Sequence, residues 1–145
     1  MIGKVTAYIT NGNRLLVFEH TEFPEAGIQV PSGTIDPGES PETAVMREAW
    51  EESGLGGLIM ARYLGVRHFD WTPFGLDIIH ERQFFHLICP GQPPARWRHW
   101  ELHPSQGPPE PIEFEFYWVH GPYDIPLLAG NQGALLSSID WDNLA

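Results

Sequence analysis

The sequence predicts an α+β domain, a three-layer α/β/α arrangement of strands and helices. Three observations carry this reading. Strand-like runs recur along the whole chain. Residues 40–54 carry complete helix punctuation. A shorter stretch near the C terminus places apolar residues at helical spacing.

Lys4–Thr10 and Arg14–Glu19 are two strands around Asn11-Gly12-Asn13, a strong hairpin signal. Gln29-Val30 reads as a short strand that enters a turn-rich loop, with Pro31-Ser32-Gly33 and Pro37-Gly38-Glu39 as the turns. Ser40 suits an N-cap, Pro41 the first helical position and Gly54 a left-handed C-cap, so a helix is expected between them. Leu58–Phe69 and Ile78–Ile88 are strands joined by the turn-rich Asp70–Gly75. Pro90–Pro111 is proline-rich and is expected to be an irregular loop of the length that often carries substrate contacts. Ile112–Val119 alternates apolar and polar residues as a half-buried strand does. Ala129–Ile139 is expected to form a short terminal helix packed through Leu135, Leu136 and Ile139.

The helix from Pro41 holds the chemistry. At about 100° per residue, Glu48, Glu51 and Glu52 share one face, and Arg47 borders it. Like charges one turn apart repel by a few tenths of a kcal/mol per pair, unless a cation sits among their oxygens. Hard divalent cations take oxygen ligands, and Mg²⁺ is usually held by one or two carboxylates together with substrate phosphates. The neighbouring arc of Val45, Ala49, Met46 and Trp50 is expected to pack on the core. A glutamate pair on a helix is by itself usually a solvated face. The residues around this one reverse those odds.

Gly33, Glu39, Arg47, Glu48, Ala49, Glu51, Glu52, Gly54 and Leu55 match the Nudix box in order and spacing, with Ala49 smaller than the usual aliphatic residue. At roughly one in fifteen per site, seven fixed residues coincide by chance about once in 10⁸ windows. The chain therefore resembles the Nudix hydrolases, a family of pyrophosphohydrolases. The resemblance implies the Nudix fold, a mixed sheet sandwiched between helices. It also implies Mg²⁺ as cofactor, or Mn²⁺ in its place, and water attack at phosphorus on a nucleoside diphosphate linked to another moiety. Within it, Glu48 and Glu52 are the best metal ligands, with Glu51 close behind and the Gly33 carbonyl able to join them. Arg47 would hold a glutamate in position and Glu39 would brace Arg47. Many relatives recruit a further acid from outside the box as general base. Glu113, Glu115 and Glu110 are the candidates, and Glu81 is a weaker one.

Composition bounds the rest. The 145 residues suit one domain, 1–145, with an ordinary core. The formal net charge of −11 argues against bulk nucleic-acid binding, which needs a basic face. Lys4 is the sole lysine, so the seven arginines, Arg82, Arg96 and Arg98 among them, are the candidate phosphate contacts. No apolar run approaches the ~20 residues of a membrane span, and no N-terminal signal pattern is present. With Cys89 as the lone cysteine, a cytoplasmic location is the default. The expected partner is a small-molecule substrate rather than a membrane or a nucleic-acid polymer, and a homodimer is compatible with the sequence.

Three function classes compete: this hydrolase, an inactive Nudix-fold binding or regulatory module, and a diphosphate isomerase. The intact glutamate stripe disfavours the second. The absence of a motif around Cys89 disfavours the third. His99 and His103 have metal-compatible spacing only if helical, which Pro104 opposes. Trp71, Trp97 and Trp100 either stack on a base or cover the core. The marks of substrate subgroups are missing: Pro73 is out of register, Tyr63 comes too early, and no SQPWPFPxS array is present. Recognition beyond the diphosphate is expected to lie in Asp70–Gly75 and Pro90–Pro111.

Overall fold

A computed structural model describes residues 1–101 and 111–144. The strands are β1 (Ile2–Asn11), β2 (Arg14–His20), β3 (Ser32–Thr34), β4 (Ile59–Asp70), β5 (Ile79–Ile88), β6 (Arg96–Glu101) and β7 (Ile112–His120). The one α-helix among the described residues, α1, spans Pro41–Ser53. The sheet runs β4-β5-β1-β2-β7-β6, with β3 set beside β1. β1 and β5 are parallel and the other pairs antiparallel, so the sheet is mixed.

The sheet is split where the chemistry lies. β1 meets β2 only at Thr10↔Leu15 and Asn11↔Arg14. Its earlier half pairs instead with β3, through Lys4↔Thr34, Val5↔Gly33 and Thr6↔Ser32. The segment before β3 bridges the wedge: Gln29 pairs with Phe18, and the Ala7 N–H donates to the Pro31 carbonyl. Gly33 is thereby delivered under α1.

Two apolar layers flank the sheet. On one face Ala44, Val45 and Ala49 of α1 bury against Val5, Ala7, Phe18, Phe85 and Phe116. On the other, Tyr8, Leu15, Val17 and Phe84 pack on Leu128, Leu135 and Ile139. The helix termini follow the sequence: Ser40 Oγ accepts from the Thr43 N–H at 3.1 Å, and Gly54 adopts φ +76° with its N–H on the Trp50 carbonyl. A left-handed residue at that position favours glycine. Trp50, expected in the packing face, is 60% exposed instead. Glu48 and Glu52 take the buried arc in its place.

Two other expectations change. Ala129–Ile139 forms turns and a single 3-10 turn, Leu136–Ser138, rather than an α-helix. Gly130, at φ +57°, Asn131 and Gly133 lower its helical propensity. Leu135 and Ile139 still bury as the pattern required. Pro90–Pro111, expected to be irregular, contains β6, which pairs with β7 from Arg96↔Tyr117 to Glu101↔Ile112. Prolines on both sides conceal a run of alternating Arg, Trp and His residues with good strand character.

Candidate active site

Three carboxylates converge beside the split in the sheet. Ligand-capable oxygens of Glu48, Glu52 and Glu101 lie within 4.8 Å of one another. Glu48 and Glu52 come from successive turns of α1, and Glu101 from the end of β6. Glu52 is almost fully buried, and its Oε2 accepts from the Ser32 N–H at 2.8 Å. Glu48 lies so close to the β3 backbone that a Cβ added at Gly33 would stand 2.1 Å from its carboxyl carbon. Only glycine admits that approach, which accounts physically for the glycine that opens the box.

Arg47 ties the helix to the preceding loop. Its Nε and Nη2 donate to the two Glu39 oxygens, both at 2.8 Å. Nη1 donates to Glu48 Oε1 at 2.9 Å and, more weakly, to Glu51 Oε2 at 3.3 Å. Nη2 also reaches the Thr34 carbonyl at 3.1 Å. The Glu39 side of this fork is bidentate, the strong form of a carboxylate–guanidinium contact. It holds Glu39 down at about 2 and raises Arg47 further.

The structure separates the outside acids considered from the sequence. Glu113 and Glu115 lie on β7 in alternation with Phe114 and Phe116, whose side chains pack toward α1. The two glutamates therefore point to the opposite face of the sheet. There Glu113 accepts from Thr21 Oγ1 at 2.8 Å and pairs with Arg98, while Glu115 pairs with Arg96. Neither joins the carboxylate group. Glu81 pairs with His68 at 3.0 Å, and Glu110 lies outside the described residues. Glu51, with 43% of its side chain exposed, stands outside the trio.

Glu101 is the acid that sequence reasoning missed. β6 alternates Trp97, His99 and Glu101 toward α1. Trp97 Nε1–H donates to the Ser53 carbonyl at 2.8 Å, and His99 Nε2–H to the Glu51 carbonyl at 2.9 Å. The last carbonyls of a helix lack intrahelical partners. These two side chains supply them and dock β6 on the C-terminal end of α1. His99 is thus a strand residue capping a helix, and His103, its partner in the zinc spacing, lies outside the described residues. Trp97 also stacks on Phe116 at 5.3 Å, which favours the core-covering reading for that indole. The signal that could have found Glu101 is the same two-residue alternation, once 96–101 is read as a strand.

Burial lifts the Glu48 carboxyl from 4.5 to about 7, against the pull of Arg47. Burial, then the charges of Glu101 and Glu48, raise Glu52 well above the ordinary range. Burial and Glu51 raise Glu101. A carboxyl raised on folding stabilises the protein below its unfolded value and loses that contribution as pH climbs through the folded one. For Glu48 the window is 4.5 to about 7. Metal ligation needs the ionised form. The thermal midpoint is therefore expected to rise more on adding Mg²⁺ at pH 8 than at pH 5. Calorimetry with and without the ion checks this. An equal shift at both pH values counts against the trio as the metal site.

The family model described as the NUDIX domain matches residues 3–120. The chain belongs to the Nudix family. Among solved structures, it resembles a MutT Nudix hydrolase from Burkholderia pseudomallei, with 24% identity, 95% of this chain and 97% of that one covered, and a TM-score of 0.60. A Nudix-family hydrolase from Clostridium perfringens gives 16% identity, coverage of 96% and 94%, and a TM-score of 0.59. These likenesses are of fold. A MutT protein from Methanosarcina mazei Go1 is 26% identical over 59% of this chain, with a TM-score of 0.47. That match spans 61% of the Methanosarcina chain. The mixed sheet and the α1 placement are those of a Nudix α+β domain.

Proposed function

We propose that this chain, as a single domain 1–145, hydrolyses a phosphoanhydride bond in a nucleoside diphosphate linked to another moiety. The observation that carries the reading is the convergence of Glu48, Glu52 and Glu101 beside a braced Arg47. The donor set is all carboxylate oxygen and fits a hard divalent cation, Mg²⁺ or Mn²⁺. Such a cation, when bound, polarises phosphoryl oxygen and acidifies water.

The protein's own groups have separate tasks. Glu48 and Glu52 present ligand oxygens from a rigid helix, and Glu101 completes the set from β6. Arg47 holds Glu48 in register, and Glu39 fixes Arg47. Gly33 leaves the space that Glu48 occupies. Glu51, more exposed, flanks the trio on the solvent side. Water attacks phosphorus, the bridging P–O bond breaks, and the water's proton passes to a carboxylate. The negative charge of the protein repels an anionic diphosphate, so the bound cation has to offset it.

The test compares Glu101, which the structure adds to the site, with Glu113, a candidate base from the sequence. Glu101→Gln is expected to lower kcat/KM by more than about 100-fold, beyond the 10–100-fold typical of residues that only support metal ligands. Glu113→Gln is expected to stay within a few fold of wild type. Both are read with a panel of dinucleoside polyphosphates, nucleotide sugars, ADP-ribose and nucleoside triphosphates in Mg²⁺. The reverse ranking would move the outside acid back to β7. Failure of the wild type to cleave any of them in Mg²⁺ or Mn²⁺ would favour a binding module.

A further inference from the structure

Among the described residues, no cation or donor reaches the Glu101 carboxylate; burial and the charge of Glu51 are what act on it. One of its oxygens nevertheless lies within 4.8 Å of ligand oxygens from Glu48 and Glu52. In the ionised form that ligates a cation, three such charges push β6 away from α1. Glu101 is also the last residue of its strand, and among the described residues β6 is bonded in the sheet to β7 alone. Contacts other than the carboxylate have to hold it at the helix.

Those contacts run along β6 toward Glu101. Trp97, His99 and Glu101 share the strand face that meets α1, and they meet it in reverse order: the Ser53 carbonyl, the Glu51 carbonyl, then Glu52 and Glu48. The Trp97 indole is also stacked on Phe116, so it serves the core as well. His99 is the nearer of the two donors to the acid, with Trp100 alone between them in the strand. Its bond grips α1 at Glu51, the residue next to the ligand Glu52.

The ring is seated against a glycine. A Cβ added at Gly54 would stand 2.9 Å from both Cε1 and Nδ1 of His99, closer than real Cβ contacts allow. Gly54 thus meets two demands at once. It turns left-handed at φ +76° to end the helix, and it leaves the space that the imidazole occupies. Asparagine can meet the first demand but not the second. On the other side of the ring, Nε2 carries the proton of the bond to Glu51, because a carbonyl only accepts.

We infer that His99 is a positioning residue for the metal site: seated on Gly54 and bonded to the Glu51 carbonyl, its imidazole holds Glu101 within reach of a cation carried by Glu48 and Glu52. The inference rests on the trio as the cation site and deepens that reading, but it does not depend on which bond is hydrolysed. His99, considered in the sequence as a zinc ligand, acts instead through Glu101. The last glycine of the box gains a task at the site besides ending the helix.

The test measures Mn²⁺ binding to the substrate-free protein by calorimetry, with no turnover involved. His99→Ala is expected to weaken binding at least about tenfold, the low end of the loss when residues that orient metal ligands are replaced. His99→Gln, whose amide can place a donor where Nε2 stands, is expected to recover most of that loss. In a Glu101→Gln background, His99→Ala is expected to cost no more than about twofold further, since no third acid is left to place. A merely structural His99 would lower the thermal midpoint and add its full loss to that of Glu101→Gln. Unchanged affinity in His99→Ala, or full additivity with Glu101→Gln, overturns the inference. Gly54→Asn approaches the same contact from the helix. Asparagine tolerates the left-handed cap, but its Cβ displaces the ring, so the loss is expected to match that of His99→Ala and not to grow when the two are combined. Wild-type affinity in Gly54→Asn overturns the seating of the ring as its cause. If these affinities fall as expected while wild type cleaves no diphosphate, the hydrolase reading fails and the role of His99 stands.

Discussion

Glu52→Gln is expected to abolish hydrolysis while leaving the fold intact. Glutamine preserves the acceptor that Glu52 offers the Ser32 N–H at 2.8 Å. It also removes one of three mutually repelling acids, so the metal-free variant is expected to melt no lower than wild type. The rate should fall the other way. Residues that merely support metal ligands cost about 10–100-fold when replaced. Loss of a ligand charge at the centre of the trio should therefore exceed about 100-fold. The pairing of unchanged or raised stability with lost turnover separates a functional acid from a structural one. Circular dichroism melts and initial rates in Mg²⁺ check both halves. Turnover near the wild-type level would remove Glu52 from the chemistry and with it the present account of the site.

Arg47→Lys is also expected to cost activity, although it keeps the charge. The guanidinium serves Glu39 through two bonds and reaches Glu48, Glu51 and the Thr34 carbonyl. An ammonium has three donors on a flexible stem and cannot reproduce a planar fork. Glu39 and Thr34 would lose the fixed link to the helix, and Glu48 would be free to rotate away from the trio. Activity is expected to drop about 10–100-fold, as for other residues that orient ligands. The Mg²⁺ concentration giving half-maximal rate should rise along with that loss. A drop in thermal stability without any change in Mg²⁺ dependence would assign Arg47 a purely structural role.

Much of this site is legible in the sequence because its central part is local. Ser40, Pro41 and Gly54 delimit α1 through capping chemistry that spans three or four residues. The helical repeat then places Glu48 and Glu52 together. Gly33 and Glu39 precede the helix closely enough to be recognised by spacing. What spacing does not resolve is which face of a strand looks at the helix. Glu113 and Glu101 are both glutamates near the same hairpin, and only the β6–β7 register distinguishes them. That register was hidden because the prolines flanking 96–101 gave the whole segment the look of a loop. The terminal segment failed differently. Its buried residues follow from hydrophobicity, but Gly130 and Gly133 replace the helix by turns that bury the same leucine and isoleucine. Trp50 shows the limit of a helical wheel. Acids and apolar groups on adjoining arcs compete for the interior, and here Glu48 and Glu52 go inward while the indole stays out.

The docking of β6 on the end of α1 has a consequence for how the protein reaches its working state. α1 is made of local contacts and can form early. Among the described residues, β6 is an edge strand paired with β7 alone. Glu101 lies 49 residues beyond Glu52 in the chain, and β6 joins the sheet through β7, which itself pairs with β2. Contacts of such long sequence separation form slowly, because loop closure comes before their reward. The complete trio is thus a late event in folding. A cation held by all three acids would find its full ligand set only in the finished form and would stabilise that form by mass action.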